Sequence, residues 1–281
     1  EASNGTTQTF SVLNSVIDWP WNYKLHAGMV ANPDWRVKHE NGSDFHVVGN
    51  NWAYNLSNPD CRKHWIDTCV ETTRLGCTGC FIDQSNSQEL FPGNFPAAQE
   101  YSRGHLAAII ELSNILAETG HYAINNHLGA AGDHVTMMML EDFAGSEKCV
   151  KMLQTITSRG IAAEVHAGNA PVNYSCANAG TNTLAAFLVA AGNNSYYHCT
   201  GPPLQWSTNP EWPSVPDMTL DWLPEYEYKL GEPLGLATTR PSTTGSGPTE
   251  NASVWSRSFA SGTRVEFDGG NGNGTIWWAD G

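Results

Sequence analysis

A (β/α)8 barrel is the fold class this sequence predicts, and three observations point to it. Short apolar runs of strand-forming residues alternate with longer helical stretches between residues 10 and 230, the pattern of a parallel sheet with helical crossovers. Most of those runs end in polar side chains: Asp18, Asp83, Asn126, Glu141 with Asp142, and Glu164 with His166. In such a barrel all C-terminal strand ends gather at one rim, so groups scattered along the chain converge there. The length, 281 residues, suffices for one large barrel or two small domains. The predicted layout is an N-terminal extension at 1–9, a barrel over 10–230 and a small C-terminal antiparallel β-strand region over 231–281.

The elements follow in order. Residues 10–17 read as a strand that runs into Asp18-Trp19-Pro20-Trp21, where Pro20 forbids a central strand. A short helix is expected over 24–31, closed by Asn32-Pro33. Extended pieces at 35–38 and 45–48 flank Asn41-Gly42, a hairpin signal, and 52–56 is another short strand. Ser57 is the expected cap of a helix reaching about residue 75, with Pro59 in its first turn. Gly79-Cys80-Phe81-Ile82-Asp83 is a strand that delivers an acid at its end, and 84–96 is a loop. An amphipathic helix over 99–119 buries Leu106, Ile109, Ile110, Leu112 and Leu116, and Gly120 ends it. Strands at 122–125, 135–140, 161–165 and 194–198 alternate with helices at 146–158 and 181–191.

With one strand drawn from residues 45–56, this gives seven barrel strands where a closed barrel has eight. Either the first strand lies upstream, in a preceding segment or another chain that also supplies a cysteine partner, or a loop conceals it. After residue 222 the texture changes. Alternating runs at 253–259, 262–267 and 274–278 read as antiparallel strands packed on the barrel's edge, while 238–246 is rich in Thr, Ser and Gly.

Composition narrows the function. The net charge is −14 with only 14 Lys and Arg, which argues against nucleic acid and disfavours a strongly anionic ligand. No apolar run reaches the length of a membrane span. Eleven Trp and nine Tyr offer apolar faces that stack on sugar rings, although aromatic residues also fill cores. The chain opens without a signal peptide, so a mature secreted form or a cytosolic one is expected. Sequons at Asn4, Asn41, Asn55, Asn173, Asn193, Asn251 and Asn273 favour a secreted glycoprotein. So do seven spaced cysteines, for which two or three disulfides and one spare thiol are expected. Cys61 and Cys69 sit on one helix roughly 12 Å apart in rise, too far to pair, while Cys69 can reach the Cys77/Cys80 region. Cys77 and Cys80 then serve as disulfide anchors bracing the strand of Asp83.

The polar strand ends suit glycoside hydrolysis, in which one carboxyl group protonates the leaving oxygen. A second attacks the anomeric carbon or activates a water. Asp83 and Glu141 are the first choice, because each follows a strongly apolar run that desolvates it. Asp83 takes the nucleophile or base role and Glu141 the acid, with Glu164 as substitute for either. Each acid also has a structural reading, Asp83 as a cap and Glu141 in an ion pair. Asn126 and His166 are expected to bond sugar hydroxyls, or else to be satisfied core groups. Asp18, Trp19 and Trp52 form candidate pocket walls, and Gln84 reaches ligand or solvent. No cofactor or metal is called for: His121 and His127 lie at opposite ends of one strand, and the chain has no HExxH, phosphate loop or GxSxG elbow.

Several motifs carry a family resemblance. They are Asn32-Pro33-Asp34-Trp35 with Asn41-Gly42, Asn58-Pro59-Asp60-Cys61-Arg62-Lys63-His64-Trp65, and Gly79-Cys80-Phe81-Ile82-Asp83. The tail adds Leu230-Gly231-Glu232-Pro233-Leu234-Gly235 and Trp255-Ser256-Arg257-Ser258-Phe259. Together these resemble the glycoside-hydrolase-like barrel families whose fourth strand carries a GxFxD motif. The resemblance spans about residues 12–278 and implies a TIM-like (β/α)8 barrel acting on carbohydrate. It places Asp83 after the fourth strand and Glu141 after the sixth, with the first strand lacking from this chain. Cys80 stands where a valine is usual. The leading expectation is a secreted hydrolase of an oligo- or polysaccharide. A non-catalytic glycan-binding or extracellular structural protein is the alternative, and a polysaccharide lyase is disfavoured by the few basic residues.

Overall fold

The computed structural model describes residues 8–85, 98–126, 134–141, 143–167, 176–199, 224–244 and 252–279, and only the backbone of 176–179. The chain divides into two compact units, Glu1–Met138 and Met139–Gly281.

The first unit is built on three parallel strands. Strand β1 (Phe10–Asn14) is followed by helix α1 (Tyr23–Ala31), a 3-10 turn at Pro33–Trp35, and the short strands β2 (His46–Val48) and β3 (Asn51–Trp52). Helix α2 (Pro59–Arg74), strand β4 (Gly79–Asp83), helix α3 (Ala98–Glu118) and strand β5 (Tyr122–Asn126) complete the run. β4 lies between β1 and β5 and pairs in parallel with both, with Asn14 in register with Asp83. β2 and β3 form a separate antiparallel pair. The strand expected between residues 45 and 56 is therefore not one of the parallel set, and six of the seven expected strands remain. Its cause is local: Gly49 adopts φ 57°, which closes a tight reversal and sends the chain back on itself.

Helix α2 begins one residue later than expected. Asn58, not Ser57, is its cap, accepting from the N–H groups of Asp60 and Cys61 at 2.9 and 3.2 Å. Ser57 instead donates to the carbonyl of Glu100 on α3. Trp65 of α2 is fully buried and donates its indole N–H to the carbonyl of Asn14 at 2.9 Å, which pins the helix to the end of β1. A Cys69–Cys80 disulfide joins α2 to the middle of β4, as the cysteine spacing allowed. Cys199 is also disulfide-bonded, but Cys61, Cys77 and Cys149 are not. This corrects two expectations: Cys77 anchors no bridge, and three thiols are spare. Cys61 is buried against the Trp35 carbonyl, and burial pushes its thiol up to about 12, leaving it a poor nucleophile.

Strand β6 (Met137–Leu140) falls at the boundary between the units. The second unit continues with helix α4 (Glu147–Ser158), strand β7 (Ala162–Ala167), helix α5 (Cys176–Ala190) and strand β8 (Ser195–Cys199). β7 and β8 are parallel, with His166 in register with His198. A 3-10 turn at Pro224–Glu227 leads to strands β9 (Thr238–Pro241), β10 (Ser253–Ser258), β11 (Arg264–Asp268) and β12 (Asn273–Trp277). These form the expected antiparallel sheet in the order β12-β11-β10-β9. β9 is an addition, since its Thr-Thr-Arg-Pro sequence carries no apolar alternation, and its proline suits an edge strand. One face of this sheet packs on α5. Gly274 lies so close that an added Cβ would sit 2.4 Å from the Ala185 Cβ. Arg257 donates to the carbonyls of Leu188 and Ala191, satisfying the C-terminal end of α5.

Each unit thus lays down consecutive parallel strands joined by helices, the α/β architecture that the alternation predicted. At Gly79 an added Cβ would lie 2.0 Å from the carbonyl oxygen of Tyr122 on β5, where only backbone can yield. Gly79→Ala is expected to cost about 3 kcal/mol in urea unfolding, near the upper end for an overpacked site. An unchanged midpoint would show that β4 and β5 are not so closely apposed.

Candidate active site

Asp83 ends β4 with a carboxylate held from both neighbouring strands. Asn14 of β1 donates its Nδ2 to Oδ2 at 2.9 Å, and Asn126 of β5 donates its Nδ2 to Oδ1 at 3.0 Å. The backbone N–H of Gln84 adds a third bond to Oδ1 at 2.8 Å. The amide of Asn14 has no freedom to flip. Its Oδ1 accepts the N–H groups of Val16 and Ile17 at 2.9 and 2.6 Å, which commits Nδ2 to Asp83. Every partner of the Asp83 side chain is a donor, so the carboxylate is fixed in place as an acceptor.

The backbone next to it is strained. Gln84, at φ 56°, is the one non-glycine residue with positive φ among those described. Its side-chain Oε1 is buried and finds no hydrogen-bond partner among the described residues. Beneath it, Ser15 donates to the Asp83 carbonyl at 2.8 Å and lies 2.9 Å from Nε2 of the buried His105.

A second polar cluster surrounds Asp18, which is fully buried. Tyr54 donates its hydroxyl to Oδ1 at 3.2 Å, and Nδ1 of His26 lies 2.8 Å from Oδ2. Burial raises the Asp18 carboxyl above its usual range, opposed by His26, Tyr54 and Arg36. His26 stacks on Trp52, and the Arg36 guanidinium lies 3.6 Å from the centroid of the same Trp52 ring. Asp18 and Trp52 are therefore brought together, joined through His26. Trp19 packs instead against the apolar cluster of Val16, Ile17, Val37 and Ala53.

In the second unit, Glu141 follows β6 and Glu164 lies on β7. Burial raises the Glu164 carboxyl, and the nearby charge of Glu141 raises it further. Glu164 and His166 alternate with the buried Ala163, Val165 and Ala167, so they share one side of β7. His166 stacks on His198 of β8 at 5.2 Å between ring centroids. Burial and the His166 charge lower the His198 pKa.

Asp83 thus gathers Asn126 and Gln84, Asp18 gathers Trp52, and Glu141 gathers Glu164, with His166 beside it. Asp142 lies outside the described residues, as do Asn4, Asn173 and Asn251 of the sequons. Asn41, Asn193 and Asn273 are exposed, whereas Asn55 is partly buried with its Oδ1 enclosed. Sequence reasoning missed Asn14, His26, Tyr54, His105 and His198. Asn14 carried a signal, an amide closing a strand after Val12 and Leu13, ahead of Asp18. The others depend on pairing that spacing does not reveal.

Parallel strands joined by helices thus carry the tethered Asp83 at the end of β4, Glu141 just past β6 and Glu164 within β7. The sequence matches the model of hypothetical glycosyl hydrolase family 15 over residues 12–263, and the chain belongs to that family. The expected resemblance to glycoside-hydrolase-like barrels is borne out. Among solved structures it is similar to the glycoside hydrolase domain of PelA from Pseudomonas aeruginosa, with 15% identity over 72% of this chain and 81% of that one, at a TM-score of 0.47. It is also similar to Aspergillus fumigatus Ega3 in complex with galactosamine, at 12% identity, 68% and 74% coverage and a TM-score of 0.47. A Nostoc punctiforme debranching enzyme gives 11% identity, 92% and 64% coverage and a TM-score of 0.44. No match was found among curated proteins.

His105 gives the site a testable acid sensitivity. Burial holds its imidazole down to about 4 in the folded chain, against an ordinary value of 6.5. The unfolded chain takes up this proton first, so the stability is complete above pH 6.5 and is lost as pH falls toward 4. The loss is roughly 3 kcal/mol between pH 7 and 4. In His105→Gln, the pH dependence of urea unfolding should shrink by that amount. An identical slope in wild type and variant would contradict it.

Proposed function

We propose that the chain is a secreted glycoside hydrolase that cleaves an oligo- or polysaccharide with carboxyl groups drawn from Asp83, Glu141 and Glu164. The observation that carries this reading is the Asp83 tether, in which Asn14, Asn126 and the Gln84 N–H all donate to one carboxylate. A carboxylate held by donors alone suits attack on an anomeric carbon, or activation of the water that does so. The proton for the leaving oxygen needs a group that keeps it near neutrality. Glu164 suits this better than Glu141, because burial and the charge of Glu141 both favour its protonated form. This reverses the order of preference that the sequence suggested. Gln84, Asn126 and His166 would bond sugar hydroxyls, and Trp52, its ring held by His26 and Arg36, would form a pocket wall beside Asp18. The Cys69–Cys80 disulfide and the exposed sequons at Asn41, Asn193 and Asn273 support an extracellular setting and glycosylation there.

Two variants test the roles. Asp83→Asn should lower reducing-sugar release from a polysaccharide panel by about 10^3-fold in a chain that still folds, its melting temperature lowered because one amide N–H then faces the Asn14 donor. Full activity would remove Asp83 from the chemistry. In wild type, activity should fall as pH rises through the elevated Glu164 value and the proton is lost. Glu164→Gln should erase that alkaline limb along with most of kcat, and an unaltered profile would return the acid role to Glu141.

A further inference from the structure

The C-terminal sheet presents a face that the proposed chemistry does not use. Strand register sorts its side chains. Trp255, Arg257, Val265 and Phe267 take the side that packs on α5, and Val265 and Phe267 are fully buried. The opposite side carries aligned polar rows across the strands. Ser258, Arg264 and Trp277 form one row, and Thr238, Ser256, Glu266 and Thr275 the next. On a water-facing sheet surface this alternation calls for polar residues throughout. Trp277 breaks it: the indole is 46% exposed, and the Arg264 guanidinium lies 5.4 Å from its centroid. All of the row residues but Thr275 line a groove of about 510 Å³, together with part of Arg257 and the loop of Leu234 and Leu236, themselves 72% and 92% exposed. Glu266, the carboxylate in the lining, pairs at 3.0 Å with Arg240 outside it, and Arg264 and hydroxyl groups stand beside it in the groove.

We infer that this groove is a second carbohydrate-binding site, one that holds a neutral glycan chain without cleaving it. The chemistry of the lining selects the occupant. An exposed indole stacks on the C–H face of a pyranose ring, and planar Arg and Glu side chains with hydroxyls alongside match vicinal sugar hydroxyls. The hydroxyl groups beside the indole and the −14 net charge of the chain favour a neutral polymer over an anionic one. None of Asp83, Glu141 or Glu164 lines the groove, so it retains polymer independently of the proposed reaction. The choice of a glycan leans on the glycosidase reading, but the binding does not require turnover.

The test is affinity electrophoresis of the whole chain through gels cast with soluble starch, hydroxyethyl cellulose or glycol chitin. Wild type should be retarded by at least one polymer. Trp277→Ala should weaken that retardation at least fivefold, and Trp277→Phe, which keeps a ring, should restore most of it. Melting temperatures and hydrolysis of a short oligosaccharide should be unchanged in both variants. Retardation of Trp277→Ala equal to wild type would overturn the proposal, as would no retardation of wild type by any of the three. Trp277-dependent binding in a chain that hydrolyses none of these polymers would count against the hydrolase reading while leaving this site standing.

Discussion

The bond network around the Asp83 carboxylate is the constraint on which the first unit depends. Three residues far apart in the sequence, Asn14, Asp83 and Asn126, meet because β1, β4 and β5 run parallel and in register. Asn14 and β4 are fixed in turn by something else. The Asn14 carbonyl takes the indole N–H of Trp65, and its side-chain oxygen takes two backbone donors. The Cys69–Cys80 bridge ties α2 to β4 three residues before the acid. Gln84 is held in a left-handed conformation that its type disfavours, costing of order 1 kcal/mol. Strain next to a tethered carboxylate is expected where position matters more than stability.

The acids are managed by different means. Asp18 is buried and has a histidine and a tyrosine for company, so its position is secured by direct bonds. Glu164 is pushed toward its protonated form by burial and by a neighbouring carboxylate. Burial raises both carboxyls; what differs is the company, hydrogen-bond partners for Asp18 and a second carboxylate for Glu164. The scarcity of Lys and Arg leaves amides, histidines and backbone N–H groups as the partners for much of this charge.

Much of the fold was legible because period and punctuation agree. Alternating apolar runs and capped amphipathic helices located the strands and helices to within a few residues. The strand read through residues 52–56 failed because a two-residue reversal at Gly49-Asn50 sets antiparallel pairing, and a short apolar run does not reveal its partner. β9 failed because an exposed edge strand needs no apolar face. At the site, the acids were visible as polar residues closing apolar runs. The tether was not, because Asn14 looks like an interruption in a strand until the register places it opposite Asp83. Cys77 was read as a bridge anchor because it neighbours Cys80, yet Cys80 alone faces α2 on the strand.

A tethered Asp83 carboxylate that takes part in glycosidic bond cleavage leaves a gap that a small anion can fill when the side chain is removed. Chemical rescue tests it most directly. Wild type and Asp83→Ala are compared on a hydrolysed polysaccharide, with and without millimolar azide or formate. The expected result is a folded, inactive Asp83→Ala whose turnover partly returns with the added anion. A folded Asp83→Ala that turns over at the wild-type rate without any added anion would remove Asp83 from the reaction.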